Sequence, residues 1–249
     1  MTLLLFDVDG TLVDSGKKID PYMVTTLNAL KNKYEIGIVG GGSLERILEQ
    51  MNNKVIFDHY FTECGCVYYK NSADGINKML LYEIYAKDIR RHPLYNKINL
   101  LVKKSLLFLS NVEYTITGNF IDLRRGIIYI SLIGMSATEE ERKYFLNYDA
   151  IYNIRESLLT TLTDYANDME INDDISIVEG GSVGIAIYPS ECDKIQILPH
   201  LRDYKDIHYF GDKYETNGND YQLLHHPDVK GHKVDSKIDT LNILKQLYS

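Results

Sequence analysis

Residues 1–16 read "MTLLLFDVDGTLVDSG", and in them an apolar run stops at two aspartates, Asp7 and Asp9, one residue apart. "TLLLFDV" has the makeup of a buried strand, and the "DGT" that follows is a turn signal. A carboxylate is costly to bury, so a strand ending in two of them calls for water or a cation at its tip. What surrounds that tip depends on the elements downstream. "DPYMVTTLNALKNK" (20–33) spaces its apolar residues as a helix does, with Asp20 as N-cap and Pro21 at the first helical position. "EIGIVGGG" (35–42) is a second short β-run ending in glycines, and "SLERILEQM" (43–51) a helix capped by Ser43. Strand, helix, strand, helix predicts a parallel sheet with helices on its faces. "KVIFDHYFTE" (54–63) and "GCVYYKN" (65–71) add short strands.

The middle of the chain changes character. Residues 80–111, "LLYEIYAKDIRRHPLYNKINLLVKKSLLFLSN", read as mostly helical with a break at Pro93. "YTITGNFIDLRRGIIYISLIG" (114–134) alternates as an antiparallel hairpin around "RRG" does. Two helices (138–150 and 154–168) and two strands in "DISIVEGGSVGIAIYP" (174–189) follow. The tail returns to the first style, with a helical "CDKIQILPHL" (192–201), a strand "DIHYFGDK" (206–213), a short strand "GHKV" (231–234) and a closing helix over 235–249. The expected architecture is an α/β core of parallel sheet formed by residues 1–83 and 191–249. An α+β domain with an antiparallel sheet, 84–190, is inserted in it.

Composition narrows the partners. At 249 residues and 45% hydrophobic, the chain can bury a sizeable core. A net charge of −8 argues against nucleic acid or an anionic membrane surface as partner. The opening "LLLF" is too short for a signal peptide, and no segment has the length of a membrane span. The expected setting is soluble, reducing and cytoplasmic. Three cysteines, with Cys64 and Cys66 in "ECGCVYY" and Cys192 far off, make a poor disulfide framework. They read as buried thiols, the alternative being a zinc site on His59, Cys64 and Cys66 that lacks a fourth ligand.

In an open parallel sheet, ligands bind beyond the carboxyl ends of the strands. Asp7 and Asp9 stand at one such end, Gly40 to Gly42 at the next, Asp212 ("YFGDK") at a late one, and Asp220 ("NGND") on the following turn. Carboxylates converging there repel one another unless they share a hard cation. Magnesium prefers oxygen ligands and leaves room for a phosphate. A carboxylate can also attack phosphorus while a second carboxyl passes the proton, and D-x-D at a strand end supplies both. The "GTL" that follows offers small residues and free amides to phosphate oxygens.

"FDVDGTL", "VGGGS", "DK" at 193–194 and "FGDK…GND" resemble the haloacid dehalogenase superfamily. With "GNFIDLRRGIIYISLIG" and "EEER", nearly the whole chain is similar to its eukaryotic-type phosphomannomutases. That resemblance implies Asp7 as phosphorylated nucleophile and Asp9 as acid/base. It implies magnesium on the Asp7 carboxylate, the Asp9 carbonyl and Asp212, with Asn219 and Asp220 ordering the metal shell. Lys194 would neutralise the nucleophile. The inserted domain would be a cap whose Arg124 and Arg142 grip the phosphate that is not transferring, and two caps would meet in a homodimer. The implied reaction interconverts mannose 6-phosphate and mannose 1-phosphate, primed by a hexose bisphosphate, on the way to GDP-mannose. The chain departs from the family's pattern at Gly16 and Met135, where arginines are expected, and at Gly184 and Ala186, where a serine and an aspartate are. In the core, Gly42 takes a serine's place and Ser43 comes one residue late. Lost guanidiniums weaken substrate binding more than phosphoryl chemistry. A sugar-phosphate phosphatase, or a weakly catalytic homologue that binds a phosphosugar or a partner, are therefore the alternatives.

Overall fold

The structure is a computed structural model that describes residues 1–72, 80–216 and 218–248. The chain begins with β1 (Thr2–Phe6), α1 (Pro21–Leu30), β2 (Glu35–Val39), α2 (Leu44–Gln50), β3 (His59–Thr62), β4 (Val67–Asn71) and β5 (Leu81–Ala86). It continues through α3 (Tyr95–Leu109), β6 (Ile121–Leu123), β7 (Ile128–Ser131), α4 (Glu139–Tyr152), α5 (Ile154–Asp168), β8 (Ile175–Gly180) and β9 (Gly184–Pro189). It closes with β10 (Asp206–Gly211), α6 (Tyr221–Leu224), β11 (Val229–Lys233) and α7 (Lys237–Tyr248). Residues 1–87 with 192–249 form one compact unit and Asp88–Glu191 a second. The closing helix expected to reach Ser249 has that last residue outside the described ones.

The first unit carries a sheet in the order β11-β10-β1-β2-β3-β4-β5. β1, β2, β3, β10 and β11 run parallel, while β4 and β5 are antiparallel additions at one edge. β1 explains why this unit holds. Leu4 and Phe6 face a cluster with Met23, Leu27, Ile47 and Leu244, whereas Leu3 and Leu5 face another with Ile197, Leu201 and Tyr209. Burial of such side chains contributes roughly 1.5–3 kcal/mol each. Because β1 lies between β2 and β10, the strand order reverses beside it, and an open sheet leaves its ligand crevice at that point.

In the second unit an antiparallel sheet, β6-β7-β9-β8, packs its apolar side against α3 and α5. Tyr129 pairs with Ala186, and Ser131 with Gly184, across β7 and β9.

Two expectations need correction, and one alternative falls away. Residues 81–86 are not helical, since "LYEIYA" pairs with β4 as an edge strand, so partner strands override an ambiguous local pattern. Residues 194–200 wind as 3₁₀ turns and not as an α-helix, with Pro199 lacking the N–H a longer ladder needs. The zinc alternative fails on geometry. His59 is hydrogen-bonded to Tyr68, Glu35 and Tyr204, and all three cysteines are free buried thiols. Among the described residues no helix is long and apolar enough to cross a membrane.

Candidate active site

β1 delivers Asp7 by continuing its pairing one residue past its end. The Asp7 N–H donates to the Phe210 carbonyl of β10 at 2.9 Å. The chain then turns sharply, as Leu12 and Val13 N–H groups both return to the Val8 carbonyl and the Gly10 N–H reaches Val13 O. Buried Val8, Leu12 and Val13 anchor this loop from below. Gly10 has φ +87°, and a Cβ there would run into the Asp212 carboxylate, so only glycine lets the loop pass the neighbouring strand end.

Lys194 organises the acids. Its fully buried ammonium donates to Asp7 Oδ1 and to Asp220 Oδ1, both at 2.5 Å, and to the Tyr209 hydroxyl at 3.2 Å. Asp220 is saturated. The Tyr209 O–H also donates to its Oδ1, and the Lys213 N–H to its Oδ2 at 2.9 Å. Asp7, Asp212 and Asp220 each present an oxygen within 4.8 Å of the others. Three carboxyl groups thus crowd one ammonium, with Asp220 fully buried and Asp7 and Asp212 only slightly exposed.

Burial, the Asp220 and Asp212 charges and only partial relief from Lys194 push the Asp7 carboxyl well above its usual range. Burial and the Asp220 charge likewise raise Asp212. Burial works against the charge on Lys194, but Asp220 and Asp7 outweigh it and hold the ammonium well above its usual range.

Whether a divalent cation fits can be tested on polar atoms lacking partners. Asp212 Oδ1, Asn219 Oδ1 and Thr11 Oγ1 are buried with none. Buried polar atoms are almost always paired, so an orphan on Asp212 itself, with others on Asn219 and Thr11, the chain neighbours of Asp220 and Gly10, points to missing ligands. Two are hard oxygens suited to magnesium, and the third is a hydroxyl in the turn. Asp220, with both oxygens engaged, supports the site from behind.

The structure thus brings Asp7, Lys194, Asp212 and Asp220 together, with Asn219 beside Asp220 in the chain. Asp9 follows two residues after Asp7 and is bonded by Gln50 and the Gly16 amide. Ser43 serves as N-cap of α2, accepting from the Arg46 N–H at 3.4 Å. In the second unit, Arg124 sits at the β6–β7 turn, donates to Asp122 Oδ2 at 2.7 Å and lies over the Tyr129 ring. Arg142, in the first turn of α4, donates to the Ala137 and Met135 carbonyls at 3.1 and 3.4 Å. Gly184 is packed so tightly that a Cβ would strike Tyr129 and the Ile130 carbonyl, so the serine expected there has no room. Sequence reasoning missed Tyr209 and Gln50. A tyrosine on β10 three residues before Asp212, which follows that strand's end, and a glutamine ending an apolar helix face, were the available signals.

Solved structures share this fold. An N-terminally truncated IMP-nucleotidase of Plasmodium falciparum superposes with a TM-score of 0.68 at 15% identity, covering all of this chain and 70% of that one. A trehalose-6-phosphate phosphatase related protein gives 0.57 at 17%, covering 98% and 96%. The fold is that of the haloacid dehalogenase superfamily. Within it, residues 23–249 match the family described as eukaryotic phosphomannomutase. The phosphomannomutase of Saccharomyces cerevisiae is 34% identical over 253 aligned positions, covering 100% of this chain and 94% of its own. That of Arabidopsis thaliana is 32% identical, covering 99% and 96%. The chain belongs to the eukaryotic phosphomannomutase family.

Proposed function

We propose that this chain interconverts mannose 6-phosphate and mannose 1-phosphate through an aspartyl-phosphate, supplying nucleotide-sugar synthesis in the cytoplasm. Family membership supports the reaction. The observation that carries the chemistry is the Lys194 ammonium, 2.5 Å from both Asp7 and Asp220. An Asp7 oxygen bonds to phosphorus as the phosphorus–oxygen bond to the donor breaks, and Asp9 gives its proton to the departing oxygen. In the return half, Asp9 takes the proton of the incoming hydroxyl and the acyl phosphate opens, restoring the Asp7 carboxylate. Lys194 offsets charge on Asp7 throughout, while Asp220 and Tyr209 hold Lys194 in place.

Magnesium on the Asp7 carboxylate, the Asp9 carbonyl and Asp212, with Asn219 and Asp220 in support, would stabilise charge on the transferring group. Thr11 Oγ1 would donate to a phosphate oxygen. Arg124 and Arg142 are assigned to the phosphate that is not transferring, a hexose bisphosphate to priming, and the second unit to a homodimer interface. Light scattering of the purified chain checks that last assignment, a monomer mass at micromolar concentration overturning it.

Hydrolysis is the second reading, favoured by Gly184 and Ala186. A mutase must hold its bisphosphate by either end, whereas a phosphatase needs only the core. The deciding experiment supplies each hexose phosphate with magnesium, with and without bisphosphate, and measures isomerised sugar and free phosphate together. Isomerisation stimulated by bisphosphate is expected. Phosphate release alone would replace the mutase with the phosphatase, and no turnover would leave only binding.

A further inference from the structure

Asp9 must face the right way as well as be present. Two N–H donors meet its carboxylate, and both fall on the same oxygen. Gln50 Nε2 donates to Asp9 Oδ1 at 2.9 Å, and the Gly16 backbone N–H donates to that atom at 2.8 Å. A carboxylate oxygen only accepts, so Gln50 presents its amide nitrogen there.

Gln50 is itself held firmly. It is the last residue of α2, it is 6% exposed, and its carbonyl accepts the Ile19 N–H at 2.8 Å. Asp9 and Ile19 bracket one loop, so this glutamine ties the end of α2 to both ends of it. Its neighbours in the chain, Ile47 on α2 and Met51 just past its end, are buried and apolar and belong to the core cluster that also holds Val13. An apolar side chain at this buried position would need no hydrogen-bond partner. A buried carboxamide is retained at a cost unless its hydrogen bond does something.

We propose that Gln50, together with the Gly16 amide, positions Asp9 for proton transfer. With both in-plane lone pairs of Oδ1 occupied, Oδ2 is the oxygen that gives a proton to the departing group and takes one from the incoming hydroxyl. Gln50 touches Asp9 and no reacting atom, so it is a positioning residue. The assignment rests on the phosphotransfer reading above.

Two phosphoryl donors separate this role from a structural one. A hexose phosphate has a poor leaving group that needs a proton. 2,4-Dinitrophenyl phosphate releases a phenolate that needs none, and its burst reports phosphorylation of Asp7 directly. In the full chain with magnesium, Gln50→Met keeps the side chain's shape and removes the donor. The expected result is a fall in hexose-phosphate kcat of about 30-fold or more, KM within about threefold, and a dinitrophenolate burst rate within about threefold of wild type. Should Gln50→Met fail to fold, Gln50→Glu, of equal size and without the N–H, is expected to give the same split. Equal losses with both donors, or a hexose-phosphate kcat within threefold of wild type, overturn the proposal. A wild-type chain inert toward both donors overturns the phosphotransfer reading, and the clamp falls with it. A wild type active with both and variants that show no split sink the clamp alone.

Discussion

The two units treat their charged side chains differently. In the first, Lys194, Asp7 and Asp220 are buried together and bonded to one another, while Asp212, Asn219 and Thr11 keep atoms unpartnered. In the second, Arg124 is bonded to Asp122 and stacked on Tyr129, and Arg142 to two carbonyls. Arg155 pairs with Asp149 and Glu179 of the same unit. The first unit thus leaves buried oxygens without partners in the protein. The second answers these three arginines internally, and it holds Met135, Gly184 and Ala186, three of the positions that depart from the expected pattern, while Gly16 and Gly42 lie in the first. The first unit leaves polar atoms open where the second closes its arginines, and the comparison can be broken in either half.

The largest effect is expected at Asp7. Asp7→Asn keeps the shape and removes the nucleophile, which should lower turnover of any phosphosugar by about four to six orders of magnitude. A stopped assay with a labelled bisphosphate would also show no label on the protein. Retained labelling would move the nucleophile elsewhere. Next comes Lys194→Met, which strands two buried carboxylates and should cost about 3–5 kcal/mol of stability as well as activity. Chemical denaturation reads the first and the assay the second. Because magnesium would partly replace the lost charge, the stability loss should shrink when the cation is added. A loss indifferent to magnesium would uncouple Lys194 from the cation site.

A smaller effect tests the second unit. Restoring the family's residue with Gly184→Ser forces a Cβ against Tyr129 and the Ile130 carbonyl, and should destabilise by about 1–3 kcal/mol without improving KM. A variant that is stable and binds hexose phosphate more tightly would show that the altered grip is a simple loss and that the surrounding packing has not adapted to it.

Much of the core was legible because its logic is one-dimensional. An apolar run ending in D-x-D, and a later strand ending in Asp212, place acids at one rim by strand polarity alone. Lys194 became legible through the family's motif, since its burial depends on the 3₁₀ turns of 194–200 and on Tyr209 beyond them. Gln50 was out of reach because its bond spans 41 positions and nothing local demands it. The strand at 81–86 was misread because alanine, leucine and glutamate suit a helix equally well, and only pairing with β4 decides. In the second unit, arginine positions could be matched but their partners could not, since Asp122 competes for Arg124 within its own hairpin.

The smallest prediction concerns acid stability, and it again divides the two units. The second unit holds a single histidine, His92, whereas the first has a stacked pair with His208 Nδ1 2.9 Å from His232 Nε2 on adjacent strands β10 and β11. Burial first, then the His208 and Lys230 charges, lower His232 to about 4, and burial lowers His208 as well. An unfolded histidine titrates near 6.5, so between about pH 6.5 and 4 the unfolded state binds more protons than the folded one. Stability of the first unit should therefore fall as pH drops through that window. The buried acids near Asp7 are raised, which works in the opposite direction, so the measurement is made at saturating magnesium and as a difference. Melting curves of the wild type and His232→Asn across pH 7 to 4 should converge as the pH falls, because the variant has no such proton to take up. Parallel curves would mean that the pair titrates alike in both states, and that any acid loss of the first unit comes from other groups, among them His59 and His200, which burial also lowers.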